Sequence, residues 1–267
     1  MLKDITLGQY FPGNTVIHRL DPRTKIWMVI FYIVALFTAK WFVSYAVMLV
    51  FLIVAVRISK VAVSTILRGM KPLIIIIILT GLLNIFYTQG EPLVKVWIFT
   101  ITKEGILNAF FMIIRILMLV TGTFLLTYTT SPIALTDALE IMLSPLKKIK
   151  VPVHELSMMM CIALRFIPTL IEETDKIISA QKARGADFET GSLIRRAKAL
   201  IPILVPLFIS AFRRADELAV AMECRCYHGG EGRTRMKQLR YGWQDGVTLA
   251  IGLLMIVVVV VLRQFGL

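Results

Sequence analysis

Long apolar runs constrain this chain more than any other feature of its sequence. A helix needs roughly 20 mainly apolar residues to cross about 30 Å of hydrocarbon, and several runs approach that length. They raise the apolar share of the 267 residues to 57%, above the roughly 45–50% of a soluble domain. The pattern predicts an all-α, polytopic membrane protein with about five transmembrane helices, which cover residues 26–39, 41–56, 73–87, 105–128 and 243–262.

Two features mark the first four spans. Residues 58–69 alternate polar and apolar side chains at helical spacing, which predicts a short helix lying in the membrane interface. Arg115 falls near the middle of the fourth span, where a charged side chain costs at least a few kcal/mol unless it is paired or faces protein. Two roles fit Arg115, a buried structural partner or a subunit contact, and the sequence does not choose between them.

A basic block separates the fourth span from the last. Residues 131–242 carry most of the charged side chains, and their caps and periodicity predict three helices, at 132–146, 153–184 and 192–227. The predicted domains are therefore a membrane domain of four spans and the interfacial helix (1–130), this block (131–242) and a last transmembrane helix (243–267). Because the block and the loop between spans two and three are basic, the positive-inside rule predicts that the N-terminus and the block are cytoplasmic.

Two stretches of the block, 156–171 and 199–212, are apolar enough to be mistaken for spans. The first contains Arg165 and Pro168, and the second contains Pro202 and Pro206. We interpret both stretches as parts of long helices that pack beneath the membrane domain. Met158, Met159 and Met160 would then offer an adaptable contact surface, although ordinary packing within the block explains them equally well.

The sequence argues against several classes of function. It contains no G-x-x-x-x-G-K-[ST] segment to cradle nucleotide phosphates, and its three histidines are too scattered to predict a metal cluster. The net charge of +13 suits the anionic inner leaflet of a membrane better than nucleic acid in so apolar a chain. We therefore expect a non-enzymatic membrane protein that holds no cofactor or metal of its own and binds no nucleic acid.

The basic block contains a weak internal repeat. Residues 172–176 align with 213–217, and Arg184 aligns with Arg225, at one offset of 41 residues. Each copy ends a long helix with an arginine between two small residues. Small flanks let a helix end enter a groove, and arginine offers five donors to carboxylates or carbonyls. A solvated arginine is the simpler interpretation of one copy, but two copies in one frame indicate two similar docking events on a dimeric or pseudo-dimeric partner. The two endings are Ala183-Arg184-Gly185 and Cys224-Arg225-Cys226.

Three stretches together resemble a known family. They are Gly8-Gln9-Tyr10-Phe11-Pro12 followed by the Ile-His-Arg-Leu-Asp-Pro-Arg-Thr-Lys segment at 17–25, and the two arginine signatures. With the span pattern, they make the chain similar over nearly its whole length to EcfT, the transmembrane (T) component of energy-coupling factor transporters. The second signature departs from the commoner Ala-Arg-Gly of that family. Its cysteines are small enough to permit docking, but their thiols can be oxidised.

The resemblance implies a scaffold function in the plasma membrane of a prokaryote. Arg184 and Arg225 would each dock in a groove on one of two EcfA-type ATP-binding cassette subunits, expected as a heterodimer, which hold the ATP and magnesium. The same helices would hold a small substrate-binding S component, and ATP-driven movement would topple it to release a vitamin or other micronutrient. The candidate S-component contacts on this chain are Met158, Met159, Met160, Pro202 and Pro206.

Two other classes of function make different demands on the sequence. A self-contained permease or channel needs a line of polar residues through several spans, and Arg115 is nearly alone in that respect. A membrane-embedded lipid-modifying enzyme needs an acidic metal or nucleophile motif such as D-x-x-D-G at the interface, and the sequence has none.

Overall fold

The computed structural model describes residues 10–88, 92–96, 99–186, 188, 192–229 and 238–265. These residues form ten α-helices and one pair of strands. The helices are α1 Val16–Arg19, α2 Pro22–Thr38, α3 Phe42–Ser59, α4 Val63–Met70, α5 Ile74–Tyr87, α6 Lys103–Thr129, α7 Pro132–Leu143, α8 Val153–Ala183, α9 Leu193–Cys224 and α10 Trp243–Gln264. Short 3₁₀ turns at Lys71–Leu73 and Ser144–Ile149 follow α4 and α7.

The described residues divide into two compact units. One comprises those between Thr136 and Gln238, and the other those of Gly8–Leu135 together with Leu239–Leu267. The boundaries lie within a few residues of 130 and 242, where the charge pattern set the limits of the basic block. The second unit, which contains α2–α6 and α10, is called the membrane unit below.

Five helical segments within the described residues are long and apolar enough to cross a bilayer: Phe42–Ser59, Val63–Phe86, Lys103–Thr129, Val153–Ala183 and Trp243–Gln264. The fold class is therefore confirmed, and the chain is a multi-pass membrane protein. The set of segments nevertheless differs from the predicted one. The predicted first span corresponds to α2, whose 17 residues extend about 26 Å. Helix α8, predicted to lie beneath the membrane, is one of the five and the least apolar of them.

A β-hairpin connects α5 to α6 and is absent from the sequence prediction. Strand β1 (Pro92–Val96) pairs antiparallel with β2 (Phe99–Thr102), and the register shifts between Pro92 and Val94. Strands of five and four residues give too short an alternation to distinguish from a loop. The polar residues at 89–91 lie outside the described residues.

The core of the membrane unit lies among α2, α3, α6 and α10. Two glycines allow these helices to approach closely. A Cβ at Gly252 of α10 would lie 2.5 Å from Met28 Sδ, and a Cβ at Gly122 of α6 would lie 3.1 Å from the Tyr32 ring. Close approach of this kind is the usual role of small residues between membrane helices. The buried apolar side chains of this core are Tyr32, Ala35, Leu36, Ala39, Tyr45, Met48, Leu52, Met118, Met255 and Val259.

Arg115 is a structural partner within this unit. Its Nε and Nη2 atoms donate to the Tyr45 hydroxyl at 2.9 and 2.6 Å, and Nη2 also reaches the carbonyl of Ala39 at 3.5 Å. The Phe37 ring lies 5.6 Å from the guanidinium. The arginine therefore joins α6 to the start of α3 and the end of α2, which accounts for a cation in the middle of an apolar helix.

Tyr45→Phe should destabilise the membrane unit by about 1–3 kcal/mol, because it leaves the half-buried guanidinium of Arg115 without its principal acceptor. Tyr32→Phe is the matched control. Tyr32 is as buried as Tyr45, but its hydroxyl has no hydrogen-bond partner among the described residues. Thermal unfolding in detergent should show a lowered midpoint for Tyr45→Phe alone, and equal loss in the two variants would contradict the assigned role of Arg115.

Candidate functional site

The helix that carries the first signature ends in a Schellman-type cap. The Gly185 N–H donates to the carbonyl of Lys182 at 3.0 Å. The Ala186 N–H donates to the carbonyl of Gln181 at 3.0 Å. Gly185 has a φ of +86°, the left-handed conformation that this cap requires and that glycine adopts without strain. The cap ends α8 at Ala183 and places Arg184 at the C-cap position.

The second signature ends α9 with the same cap, displaced by 41 residues. The Cys226 N–H donates to the carbonyl of Glu223 at 2.8 Å, and the Tyr227 N–H to that of Met222 at 3.1 Å. Cys226 therefore occupies the position of Gly185 and has a φ of +53°. The repeat seen in the sequence is thus a repeat of backbone geometry, and Cys226 adopts a conformation that costs a non-glycine residue roughly 1–2 kcal/mol.

The two long helices contact each other through repeat-equivalent residues. Arg214 Nη2 of α9 donates to Glu173 Oε2 of α8 at 3.0 Å, and these positions are 41 residues apart. Gln181 Nε2 reaches the carbonyl of Pro202 at 3.4 Å, so the helices run in opposite directions past each other. Equivalent residues that meet lie near a local pseudo-twofold axis. Each signature arginine then lies about 16 Å along its helix from this crossing.

Arg184 and Arg225, called the arginine tips below, are exposed. Within the described part of the chain, neither guanidinium forms an ion pair or hydrogen bond. Their flanking residues Ala183, Gly185, Cys224 and Cys226 are exposed as well. The geometry presents two equivalent cations at the ends of two equivalent helices, where carboxylates or carbonyl oxygens of a partner can accept from them.

The unit between Thr136 and Gln238 also exposes an apolar surface along α9, which we call the α9 face. A solvated helix does not expose so many large apolar side chains on one side, so this face suits a protein or lipid partner. Of the predicted contacts, Met159 and Met160 are 54% and 43% exposed, Pro202 and Pro206 are exposed, and Met158 is half-buried. The α9 face consists of Leu200, Ile201, Leu204, Val205, Phe208, Ile209 and Phe212.

A buried charge network, the clamp, explains the N-terminal stretch. The Asp21 carboxylate accepts hydrogen bonds from Arg23 Nε at 3.0 Å and Nη2 at 2.8 Å. The backbone N–H of Asp21 donates to the Asp245 carboxylate at 2.9 Å. Asp245 also accepts from the Gly242 N–H at 2.8 Å, which caps α10. The Asp245 carboxylate therefore joins the N-cap of α2 to the first turn of α10, and the Asp21 carboxylate holds Arg23 beside it.

The clamp also fixes the two points between which the basic block is inserted. Lys25 Nζ donates to the Thr129 carbonyl at 2.8 Å and to Thr130 Oγ1 at 3.2 Å, at the end of α6. Arg23 Nη2 donates to the Leu239 carbonyl at 3.2 Å. The chain runs into the block just after Thr130 and returns from it at Leu239. The short segment from Asp21 to Lys25 thus holds the chain both where it enters the block and where it returns.

In the sequence this segment is only a mark of family resemblance, and no contacts were predicted for it. The sequence signal for such contacts was the set of charged residues at 21, 23 and 25, directly before an apolar run. Charges at a helix end beside hydrocarbon need partners. Asp245, in the first turn of the last span, was the complementary signal. Gly8 and Gln9 of the N-terminal stretch lie outside the described residues.

The fold and these features define an all-α, multi-pass membrane protein with a block of long helices inserted before its last span. A family model described as a cobalt transport protein, CbiQ, matches residues 13–236. The energy-coupling factor transporter transmembrane protein EcfT of Thermosediminibacter oceani is 55% identical over 254 residues, which cover 95% of this chain and 96% of that protein. The EcfT proteins of Clostridium kluyveri and Bacillus subtilis are 53% and 47% identical over 98% and 92% of this chain, and over 98% and 93% of their own lengths. The chain belongs to the EcfT family, the transmembrane components of energy-coupling factor transporters.

Cys226→Gly should stabilise the end of α9 by roughly 1 kcal/mol, because glycine adopts the left-handed conformation without the Cβ clash. Hydrogen exchange at the amides of Cys226 and Tyr227 should slow by about fivefold. Cys224→Gly is the matched control. It introduces a glycine inside the helix and should speed exchange by a similar factor. Faster exchange in Cys226→Gly would contradict the cap described here.

Proposed function

We propose that this chain is the energy-coupling scaffold of an importer. In this proposal, its arginine tips dock into two ATP-binding cassette subunits, a heterodimer that binds ATP and magnesium. Movement of α8 and α9 then passes to a separate substrate-binding S component, which delivers a vitamin or other micronutrient across the plasma membrane. The N-terminus and the basic block face the cytoplasm, since the basic loops favour that side.

One observation carries the docking proposal. The two arginine tips share one cap geometry and lie at equal distances from a crossing made by repeat-equivalent residues. A partner with two similar grooves related by a twofold axis matches such a surface, and a pair of related ATPase subunits offers that symmetry. Arginine is suited to the role because its charge persists and its donors form a rigid fork.

The apolar surfaces support the second part of the proposal. The α9 face and the exposed Met159 and Met160 offer a large hydrophobic area on the helices that end in the tips. A small membrane protein bound there would be held by apolar packing. Such packing can rearrange, because apolar contacts are non-directional and methionine side chains are flexible. Movement at the tips would then reach the S component through the same two helices.

A self-contained permease receives less support from the fold. Such a protein would use intramembrane charge to line a path. The charge in question, Arg115, is bonded to Tyr45 within the packed membrane unit. It contributes to the packing of α2, α3 and α6 and is not arranged for substrate passage.

Charge reversal at the tips tests the docking proposal. Arg184→Glu and Arg225→Glu should each lower recovery of the ATPase subunits at least tenfold, since each loses charge-assisted hydrogen bonds of about 1.5–3 kcal/mol. Recovery is measured by affinity purification of the tagged chain from membranes that express the whole transporter. Lys176→Glu and Arg213→Glu, at exposed positions of the same two helices, are the matched controls and should retain the ATPases.

The same purification separates the two kinds of partner. Phe208→Glu, in the centre of the α9 face, should lower recovery of the S component while the ATPases remain bound. The tip variants should give the opposite pattern. Normal transport and normal recovery of both partners in the Arg184→Glu/Arg225→Glu double variant would disprove the docking proposal.

A further inference from the structure

The corner between α3 and α4 lies at a membrane surface. Helix α3 ends at Ser59, and the next apolar segment begins at Val63. Arg68 and Lys71 of that segment are exposed, so they do not belong in hydrocarbon. We therefore expect the part of it that crosses the bilayer to start near α5, with α4 in the interface.

This corner is strongly basic and unpaired. Arg57, Lys60, Arg68 and Lys71 are all exposed, and the sequence has no aspartate or glutamate between residues 22 and 90. None of the four cations forms an ion pair with another described residue. Four unpaired cations within one short stretch create a positive potential that attracts anions.

A groove of about 660 Å³ opens at the same place. One wall is the segment 11–18, and the other is the α3–α4 corner from Ile58 to Thr65. His18 fixes the first wall, since its ring contacts Thr15 Oγ1 at 2.6 Å and the Phe11 carbonyl at 3.1 Å. Burial lowers the pKa of His18, so the ring is neutral at pH 7. Lys60 is thus the cation that lines the groove among the described residues.

Helix α4 presents an apolar surface beside the groove. Ile66 and Met70 are buried against Tyr128. Val63 and Leu67, one turn apart and neighbours of Ile66 and Met70 on the same helix face, are 57% and 61% exposed. An in-plane helix with apolar and cationic sides is the arrangement that inserts among lipid acyl chains while it contacts their headgroups.

We infer that this groove binds the headgroup of an anionic membrane phospholipid. Lys60 contacts the phosphate, Arg57 and Arg68 add to the attraction, and the acyl chains lie against Val63 and Leu67. The position of the corner at the membrane surface, its unpaired charge and its exposed apolar side favour a lipid over a protein partner. The inference concerns the membrane unit alone and does not depend on the docking of ATPases.

The test measures lipid selectivity of the full chain without partners. The protein is placed in nanodiscs of equal phosphatidylglycerol and phosphatidylcholine, and the lipids that remain bound are counted by native mass spectrometry. Wild type should retain phosphatidylglycerol preferentially. Each lost charge should reduce that preference about fivefold, from the contribution of one basic side chain near an anionic surface. Lys60→Gln and Arg68→Gln are measured separately, so that if one variant fails to fold, the other still tests the inference.

Lys40→Gln is the matched control, because Lys40 is exposed at the opposite end of α3. It should leave the selectivity unchanged. Equal retention of the two lipids by wild type, or the same loss in Lys40→Gln as in Lys60→Gln, would overturn the inference. Displacement of phosphatidylglycerol by inorganic phosphate would also overturn it, since the groove would then be a phosphate site and not a lipid site.

Discussion

The membrane unit depends on the clamp, in which two carboxylates and two cations are buried where the starts of α2 and α10 meet. Asp21 and Asp245 are 6% and 4% exposed, and Arg23 and Lys25 are 9% and 6% exposed. A buried charge that loses its partner costs about 3–5 kcal/mol, so the four groups stabilise the fold only as a set. Together they hold the ends of α2, α6 and α10. The chain leaves the membrane unit and returns to it near those ends, so the clamp fixes both points within the membrane unit.

The block itself has a simple design, two long helices with equivalent caps and equivalent tips. Its symmetry arises from the repeat of 41 residues, and the Glu173–Arg214 pair shows where the two copies meet. Within the EcfT family, such a block in our proposal transfers movement from paired ATPases to a substrate-binding partner. In that proposal the tips would supply directional, charge-assisted contacts to the ATPases, whereas the α9 face would supply contacts that can slide. Charge-assisted contacts at the tips and apolar contacts on the α9 face suit a helical block that must hold one partner firmly and move against another.

Local chemistry made most of the helices predictable from the sequence. Apolar runs located four of the five candidate spans but not α8, and the glycine at 185 located the end of α8 within a residue or two. Long-range contacts were not predictable. The donor from Lys25 reaches Thr129, 104 residues away, and Asp21 meets Asp245 at a separation of 224 residues. Arg115 was recognised as needing a partner, but periodicity carries no information that the partner is Tyr45. Cys226 illustrates a third limit, because its left-handed conformation becomes evident only beside the matching cap at Gly185.

The central claim is that the two tips dock onto two different ATPase subunits. Cysteine cross-linking in the assembled transporter tests it most directly, since Cys226 is already a thiol at the second tip. With Cys161 and Cys224 replaced by serine, Cys226 is the only cysteine of the chain. Gly185→Cys combined with Cys226→Gly moves that thiol to the first tip. A short bifunctional reagent should link Cys226 to one ATPase subunit and the thiol at position 185 to the other. Linkage of both positions to the same subunit, or to neither, would contradict the account.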